Sequence, residues 1–312
     1  IKYMSEIIYT ISNKSPDLDS VTGAVSYAGL KNIIDPTKTY IPVTAGHVNK
    51  ETNYVLDKFN LKKPEVLENI AHKNIILVDH NENFQIQDGY EEANIIEVLD
   101  HHKISFASIN PIQFEVKPWG SSCSIIADKY FELNLKIEKS LASAMLAAIL
   151  VDTVITKSPT CTDYDREIIK KLAEIADIND WQAYGMEIFK VRSAVGEYSD
   201  IDIIKNDFKD FDFAGEKFGI GQIETADITE LENRENGLLV EMNKLREEGG
   251  YSAIVLFLTD IIKEGSKFLI AAKDEAKIEE ALGAKLNNHR VYIDKILSRK
   301  KQVIPMLMEK YK

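Results

Sequence analysis

The stretch IIYTISNKSPDLDSVTGA, residues 7–24, joins a short apolar run to a helix-like segment. Between them stand Asn13 and two aspartates, Asp17 and Asp19, whose carboxylates repel each other. A turn in which an aspartate caps the following helix is one explanation for this pattern. A cation held between the two carboxylates is the alternative explanation, and further metal ligands elsewhere in the chain would favour it.

The first two thirds of the chain alternates short apolar runs with amphipathic stretches, which predicts an α/β fold with a parallel sheet covered on both faces. The predicted strands are residues 7–11, 39–43, 75–78 and 95–99, and the predicted helices are residues 20–30, 51–59, 121–133, 139–151 and 163–175. Asp79 and Asp100 directly follow predicted strands, as Asp17 and Asp19 follow the first. Ligands of open α/β sheets bind beyond the carboxyl ends of the strands, so these four carboxylates predict one site.

The pattern weakens around residues 190–204, where we expect a domain boundary. The sequence thus predicts a first domain at residues 1–194, a linker at 195–201 and a smaller α/β domain at 202–312. Within the second domain the predicted strands are residues 218–225, 253–259 and 267–272, and the predicted helices are residues 229–248 and 274–282.

Composition excludes several classes of function. The formal net charge of −12 argues against a broad nucleic-acid surface, because neutralising phosphates needs a basic face. No apolar run reaches the ~18 residues that a membrane-spanning helix needs. The chain has only two cysteines, Cys123 and Cys161, which indicates a reducing compartment and predicts a cytoplasmic protein.

Five side chains are candidate metal ligands: Asp17, Asp19, Asp79, His101 and Asp152. Asp152 interrupts the apolar run AAILVDTVIT at its far end, where a helix N-cap cannot explain a carboxylate. Carboxylates with one or two imidazoles suit Mn²⁺, Co²⁺ or Mg²⁺ better than a structural zinc. The set is too large for one ion, and two metals ~3.5–4 Å apart that share a carboxylate fit it.

Positive charge comes from the second domain. Lys209 lies in NDFKDF, and Arg299 and Lys300 lie in SRKKQ. Each cluster could be an ordinary solvated surface. Next to a metal-binding acidic domain, however, these cations suit a phosphate substrate.

The motifs SPDLDS, VDHNE, DHH and LVDT occur in this order, and with them the chain resembles the DHH phosphoesterase superfamily. The second domain, with SRKKQ, resembles the DHHA2 type. The combination is similar to the family II inorganic pyrophosphatases, which depend on manganese or cobalt. The resemblance covers nearly the whole chain and implies an active site in the cleft between the DHH and DHHA2 domains.

The resemblance also implies roles for individual residues. Pyrophosphate would be hydrolysed to two phosphates by a hydroxide bridging two metals. One metal would be bound by Asn13, Asp17 and Asp79, and the other by Asp19, Asp79, His101 and Asp152. His102 would lie just outside the metal shell and handle a proton or stabilise the leaving group. Lys209, Arg299 and Lys300 would bind the diphosphate, and further Mg²⁺ would arrive with the substrate.

Asn13 departs from the family pattern GHxxPDxD, in which a histidine stands at this position. An amide oxygen is a weaker ligand than imidazole for Mn²⁺ or Co²⁺, so we expect weaker metal binding there. The same change resembles the subgroup that carries a regulatory CBS pair for adenine nucleotides. The chain passes from Lys63 to Asp79 with no room for that insert, and we expect no nucleotide regulation.

Other functions remain open at this point. A short-chain exopolyphosphatase or another DHH phosphodiesterase is the alternative within the superfamily, although EEGGYS, residues 247–252, lacks the histidine of the phosphodiesterase motif. A catalytically silent metal- or phosphate-binding regulator is the alternative from another class. The resemblance further implies a homodimer through the first domain, with which an apolar edge strand NIIEVLD, residues 94–100, is compatible.

Overall fold

A computed structural model describes residues 5–193, 198–225 and 228–311 of the chain. It divides into two compact units, residues 1–191 and 192–312. Residues 195–197 of the predicted linker lie outside the described residues, and the linker stays a prediction. None of the helices in the described ranges combines the length and apolarity that crossing a lipid bilayer requires.

The first unit contains a six-stranded, wholly parallel sheet with the strand order β3-β2-β1-β4-β5-β6. The strands are β1 (Ile7–Ile11), β2 (Thr39–Thr44), β3 (Glu65–Val66), β4 (Asn74–Val78), β5 (Asn94–Asp100) and β6 (Gln113–Val116). The parallel sheet is therefore confirmed. Because β6 lies beyond β5, the expectation that NIIEVLD forms the edge strand was wrong: QFEV is too short and too exposed to be recognised as a strand.

Among the described residues, the α-helices that begin in the first unit are α1 (Leu18–Ile34), α2 (Lys50–Lys58), α3 (Ser122–Glu132), α4 (Lys139–Asp152), α5 (Asp163–Ala176) and α6 (Trp181–Ser193). α1 packs closely on the sheet, since a Cβ at Gly23 would lie 2.9 Å from Val78 Cγ1. The opposite face buries Ile11 and Leu77 beneath Ile70 and Ile86, which come from loops. This close packing fixes the N-terminus of α1 beside the ends of the strands.

The second unit is a mixed five-stranded sheet in the order β11-β10-β9-β8-β7, in which only β8 and β9 run parallel. Its elements are α7 (Asp200–Lys205), β7 (Phe208–Phe213), β8 (Glu216–Thr225), α8 (Glu235–Glu248), β9 (Ala253–Asp260), β10 (Gly265–Ala272), α9 (Glu275–Leu282), β11 (Arg290–Asp294) and α10 (Ile304–Lys310). The helix predicted at 229–248 is a 3₁₀ segment up to Arg234 and an α-helix from Glu235.

The central strand β9 is buried along its whole length. Leu256 belongs to a core with Leu238 on one face, and Phe257 to a core with Phe268 on the other. Helices on both faces of this sheet explain why β9 reads as a continuous apolar run rather than an alternating one.

Candidate metal centre

The predicted site lies where β1, β4 and β5 end and α1 begins. Asp79 follows β4 directly, and its backbone N–H donates to Leu99 O on β5 at 2.9 Å. Its φ angle is +67°, a left-handed conformation that costs a non-glycine residue ~1–3 kcal/mol and is concentrated at functional sites. Asp79 is buried, and its Oδ1 accepts from Ser122 Oγ at 2.8 Å. The backbone therefore turns this carboxylate into the site rather than along the strand.

Asp19 is fully buried in the first turn of α1, and its carboxylate is fixed by the N-terminus of α3. Ser121 Oγ and Cys123 N donate to Asp19 Oδ1 at 2.6 and 3.0 Å, and Ser122 N donates to Oδ2 at 2.7 Å. These hydrogen bonds fix the orientation of the carboxylate and allow it to move little. Burial, with the charge of Asp19, raises the pKa of Cys123 well above its usual value, which makes a nucleophilic thiolate unfavourable there.

The two histidines of DHH have different surroundings. His101 is largely buried, and its Nδ1 donates to Trp119 O at 3.0 Å, so Nε2 faces the carboxylates. His102 is half exposed, and its Nδ1 donates to Asp100 Oδ1 at 2.8 Å. The other ring nitrogen, Nε2, lies on the side of the ring away from Asp100. Asp100 also accepts from the backbone N–H of both histidines, which fixes the orientation of the motif.

Asp152 is the last residue of α4 and faces the same centre. The chain behind it turns sharply, since Val154, Ile155 and Thr156 all have positive φ angles of 50–66°. Left-handed residues with a side chain cost about 1–2 kcal/mol each, so the turn is strained. Ile155 N donates to Leu150 O at 2.7 Å and thereby closes the helix end that presents Asp152.

These elements bring four of the predicted ligands together. Asp19, His101 and Asp152 each offer a ligand atom within 4.8 Å of the others. His101 Nε2 lies 3.3 Å from Asp79 Oδ1 and 3.8 Å from Asp152 Oδ2. A second group consists of Asp79, His101 and His102. The hydrogen bond from His102 Nδ1 to Asp100 makes that nitrogen unsuitable as a ligand.

The electrostatics of the centre are those of a site built for positive charge. Burial, followed by the charge of Asp19, raises the pKa of both Asp79 and Asp152. Burial alone would lower the pKa of His101, but the adjacent carboxylates, Asp79 foremost, raise it well above its usual value. Because each of these groups holds its proton more tightly than a free side chain does, a cation that binds here would displace protons.

Asp17 and Asn13, which are predicted to bind the second metal together with Asp79, form hydrogen bonds with residues close in sequence. Asp17 is the N-cap of α1: its Oδ1 accepts from Ser20 N at 2.9 Å, as the capping explanation requires. Its second oxygen stays available, and its charge contributes to the raised pKa of Asp79. Asn13 is buried, and its Oδ1 accepts from Ser15 N at 3.0 Å. Both residues lie at the predicted edge, and their role as ligands stays a prediction.

The donor set fits a divalent metal. His101 Nε2 is buried and has no hydrogen-bond partner among the described residues, although carboxylate oxygens surround it. A buried nitrogen without a partner is costly unless it binds something that is absent here. Carboxylate oxygens with one imidazole nitrogen are a ligand set that suits Mn²⁺.

His80 is not part of this set. Its ring is fully buried, and Nδ1 lies 2.9 Å from Val78 O. Burial lowers the pKa of His80 to about 4, so the ring is a neutral packing residue at physiological pH.

The predicted cations of the second unit lie around β7 and the segment before α10. Lys209 on β7 pairs in register with Ile220, and Arg299 Nη1 donates to Ile220 O at 3.2 Å. Arg299 is further fixed by Asp207, whose Oδ1 accepts from Nη2 at 2.7 Å. The segment Arg299–Val303 is a π-helical turn, a rare form often found at functional sites. Lys209 and Lys300 are both exposed.

The sequence did not reveal the residues that hold the ligands. Ser121, Ser122 and the carbonyl of Trp119 bind three of them from a segment far along the chain. The available signal was the helix start in WGSSCS, where a serine caps α3. That signal predicts a helix terminus but not the carboxylates it binds.

Comparison with known proteins gives two family matches and many relatives. Residues 7–149 match the N-terminal domain of the DHH family, and residues 186–310 match the DHHA2 domain. A manganese-dependent inorganic pyrophosphatase of Methanothrix thermoacetophila is 46% identical over 99% of this chain and 100% of its own length. The protein of the same description from Bacillus subtilis is 36% identical over 97% of this chain and 98% of its own.

A solved structure agrees with these relatives. The crystal structure of a putative family II inorganic pyrophosphatase from Methanococcus jannaschii superimposes with a TM-score of 0.75 at 40% identity. The match covers 97% of this chain and 99% of that one. The chain therefore spans nearly the full length of all three proteins.

Proposed function

Because the chain belongs to the family of manganese-dependent inorganic pyrophosphatases, we propose that it hydrolyses inorganic pyrophosphate to two phosphate ions. The observation that supports this most directly is the cluster of Asp19, His101 and Asp152 with Asp79 beside it. The buried His101 Nε2, which has no hydrogen-bond partner in the described part of the chain, and the carboxylates of raised pKa suit a metal that activates water.

We assign two metal sites that share Asp79. Asp19, Asp79, His101 and Asp152 would hold one Mn²⁺ or Co²⁺, and Asn13, Asp17 and Asp79 the other. When bound, such a pair of ions acidifies a water molecule and neutralises the oxygens of the reacting phosphoryl group. The chain supports its ligands through the donors on α3: Ser122 Oγ positions Asp79, and three N–H and O–H groups position Asp19.

His102 is our candidate for proton transfer. Burial alone would lower its pKa, but the hydrogen bond to Asp100 raises it, so the ring carries a proton more readily than a free histidine does. The same bond orients the ring and leaves Nε2 to donate a proton to the leaving phosphate. A group of this kind contributes ~10²–10⁴-fold to the rate.

We propose that Lys209, Arg299 and Lys300 bind the diphosphate, accompanied by Mg²⁺. Arg299 is held by Asp207 and by two backbone carbonyls, so its guanidinium loses little further freedom when it binds an anion. Gln302 stiffens the turn, since its Oε1 accepts from Leu297 N and Ser298 N at 2.9 and 3.0 Å.

We also propose a homodimer through the first unit and a cytoplasmic location. One of the two edge strands of the first sheet is β6, and the preceding loop exposes Ile104 and Ile109 by 65% and 102%. An unpaired strand beside exposed apolar side chains favours pairing with a second copy. Both cysteines are free, in agreement with a reducing compartment.

A substrate panel tests the function. Mn²⁺-loaded protein is given pyrophosphate, tripolyphosphate and a short oligonucleotide, and phosphate release is measured for each. Turnover confined to pyrophosphate is expected. Cleavage of the longer substrates would instead favour an exopolyphosphatase or phosphodiesterase, and metal binding without any turnover would favour a silent regulator.

A further inference from the structure

A single segment, Trp119–Cys123, which we call the 119–123 turn, contacts three of the assigned metal ligands. It accepts a hydrogen bond from His101, and it donates to Asp19 and Asp79. The positions of these ligands therefore depend on how firmly the turn itself is held. Trp119 stacks on Tyr164 of α5, and the side-chain hydrogen bond that anchors the backbone of the turn comes from a buried residue of the same helix.

That anchor is Asp165, in the first turn of α5. Asp165 is fully buried, and its Oδ2 accepts from Gly120 N–H at 2.9 Å. The same oxygen accepts from Thr162 N–H at 2.8 Å and from Thr162 Oγ1 at 2.7 Å. One carboxylate oxygen thus joins the 119–123 turn to the helix cap of α5.

Gly120 packs so closely against its neighbours that there is no room for a side chain at this position. A Cβ at this position would lie 2.6 Å from Thr153 Cγ2 and 3.1 Å from Asp165 Oδ2. Thr153 directly follows the assigned ligand Asp152. The turn is consequently packed between the start of α5 and the end of α4, and Asp165 supplies the hydrogen bond across this contact.

Capping alone does not explain a carboxylate at position 165. α1 has the same capping box with a serine in the equivalent place, where Ser20 Oγ accepts from Asp17 N–H at 3.1 Å. A serine would therefore cap α5 as well. The aspartate has the further cost of Oδ1, which is buried without a hydrogen-bond partner among the described residues. What the longer side chain adds is the reach to Gly120.

We propose that Asp165 is a positioning residue of the metal centre, which holds the 119–123 turn so that Asp19, Asp79 and His101 stay arranged for metal binding. This inference rests on the proposed function only in that the centre binds a divalent metal. Residues that orient metal ligands from outside typically change metal affinity ~10–100-fold when they are removed. A change of that size is the expected effect of losing the bond to Gly120.

Two substitutions separate the anchor from the cap. Asp165→Ser keeps a capping side chain like that of Ser20 but cannot reach Gly120. Thr162→Ala removes the N-cap hydroxyl but leaves the bond from Gly120 to Asp165. Asp165→Asn keeps an acceptor oxygen while it removes the charge, and so tests whether geometry or charge matters.

The probe is Co²⁺, followed by its visible absorption spectrum and by its dissociation constant, with urea unfolding as a measure of stability. Asp165→Ser is expected to weaken Co²⁺ binding ~10–100-fold and to alter the spectrum, because the ligands are less firmly arranged. Thr162→Ala is expected to lower the urea midpoint but to leave the spectrum and affinity as in the wild type. Asp165→Asn should have the spectrum and the Co²⁺ affinity of the wild type.

Wild-type affinity and spectrum in Asp165→Ser would overturn the proposal, as would an equal loss of affinity in Thr162→Ala. A wild-type protein that binds neither Co²⁺ nor Mn²⁺ would contradict the metal centre itself, which is a different result. Wild-type metal binding without pyrophosphate turnover would contradict the proposed function and leave the role of Asp165 intact.

Discussion

Replacing Asp152 by asparagine should stabilise the metal-free protein and remove the stabilisation that Mn²⁺ provides. Asp152 stands at the C-terminus of α4, where the helix dipole makes a carboxylate cost about 0.3–1 kcal/mol. One of its oxygens lies within 4.8 Å of an oxygen of Asp19. Within the described part of the chain no hydrogen bond reaches this carboxylate, and the nearest cationic group is His101, whose Nε2 lies 3.8 Å from Asp152 Oδ2. Burial and the neighbouring carboxylates outweigh the attraction of His101, since the pKa of Asp152 is raised, and a bound metal would relieve this cost.

The magnitude follows from the raised pKa of Asp152, which burial and the neighbouring carboxylates cause. A carboxyl whose pKa is raised by folding destabilises the folded state progressively as the pH rises above its unfolded pKa. Each unit costs ~1.4 kcal/mol, so the ~3 units between an unfolded aspartate and neutral pH set a ceiling of ~4 kcal/mol. The partnerless amide recovers only part of this, and we expect a gain of about 1–3 kcal/mol.

Urea unfolding at neutral pH, in EDTA and in excess Mn²⁺, measures both effects. The chain's two tryptophans, Trp119 and Trp181, belong to the first unit, so their fluorescence reports the unfolding of that unit. Mn²⁺ at a hundred times its dissociation constant should stabilise the wild type by ~2.7 kcal/mol. Asp152→Asn should unfold at higher urea in EDTA and respond little to Mn²⁺.

Glu132 offers a matched control. It is an exposed carboxylate at the C-terminus of α3, so Glu132→Gln removes the same charge from a helix end outside the cluster. Its effect in EDTA should stay within ~1 kcal/mol, and its response to Mn²⁺ should equal that of the wild type. A loss of stability for Asp152→Asn in EDTA would show that the carboxylate does not destabilise the metal-free protein. An undiminished response to Mn²⁺ would show that Asp152 does not bind the metal.

Four further expectations address the site. Asn13→His should tighten Mn²⁺ binding, because imidazole is a stronger ligand than an amide oxygen. Calorimetric titration of both proteins with Mn²⁺ measures the difference, and equal affinities would mean that position 13 binds no metal. His102→Asn should lower kcat ~10²–10⁴-fold with a smaller change in KM, whereas His72→Asn, at an exposed histidine, should change neither. Loading the metal-free protein with Mn²⁺ at neutral pH should release protons, because the pKa values of the site carboxyls are raised, and titrations in buffers of different ionisation enthalpy would count them. AMP and ADP should leave the rate of phosphate release unchanged, and a large change with either nucleotide would contradict the expectation that the chain is not regulated by nucleotides.

The parts of the fold that are encoded locally could be predicted from the sequence. β1 and β4 are short apolar runs followed by aspartates, and their bounds agree with the prediction to within one residue. β6 and β7 were missed, because QFEV is short and FKDFDF carries charged residues on an exposed face. Their place in a sheet depends on pairing with strands rather than on their own hydrophobicity.

The same distinction between local sequence patterns and long-range contacts applies to the site. The carboxylates and histidines are visible as motifs, and the structure brings Asp19, Asp79, His101 and Asp152 together. The groups that orient them are backbone N–H and C=O groups and small hydroxyls, with partners up to 104 residues away. Such contacts have no local sequence pattern, so Ser122 and Asp165 could be recognised only in the folded chain.

The proposed hydrolysis requires two metals that act together in the first unit. The measurement that tests it most directly is the release of phosphate from pyrophosphate by metal-stripped protein as Mn²⁺ is added in known equivalents. We predict that turnover is absent without metal and reaches its maximum only when two Mn²⁺ are bound per chain. Full turnover with a single bound Mn²⁺, or turnover that persists after the metal is stripped, would contradict the shared-carboxylate centre.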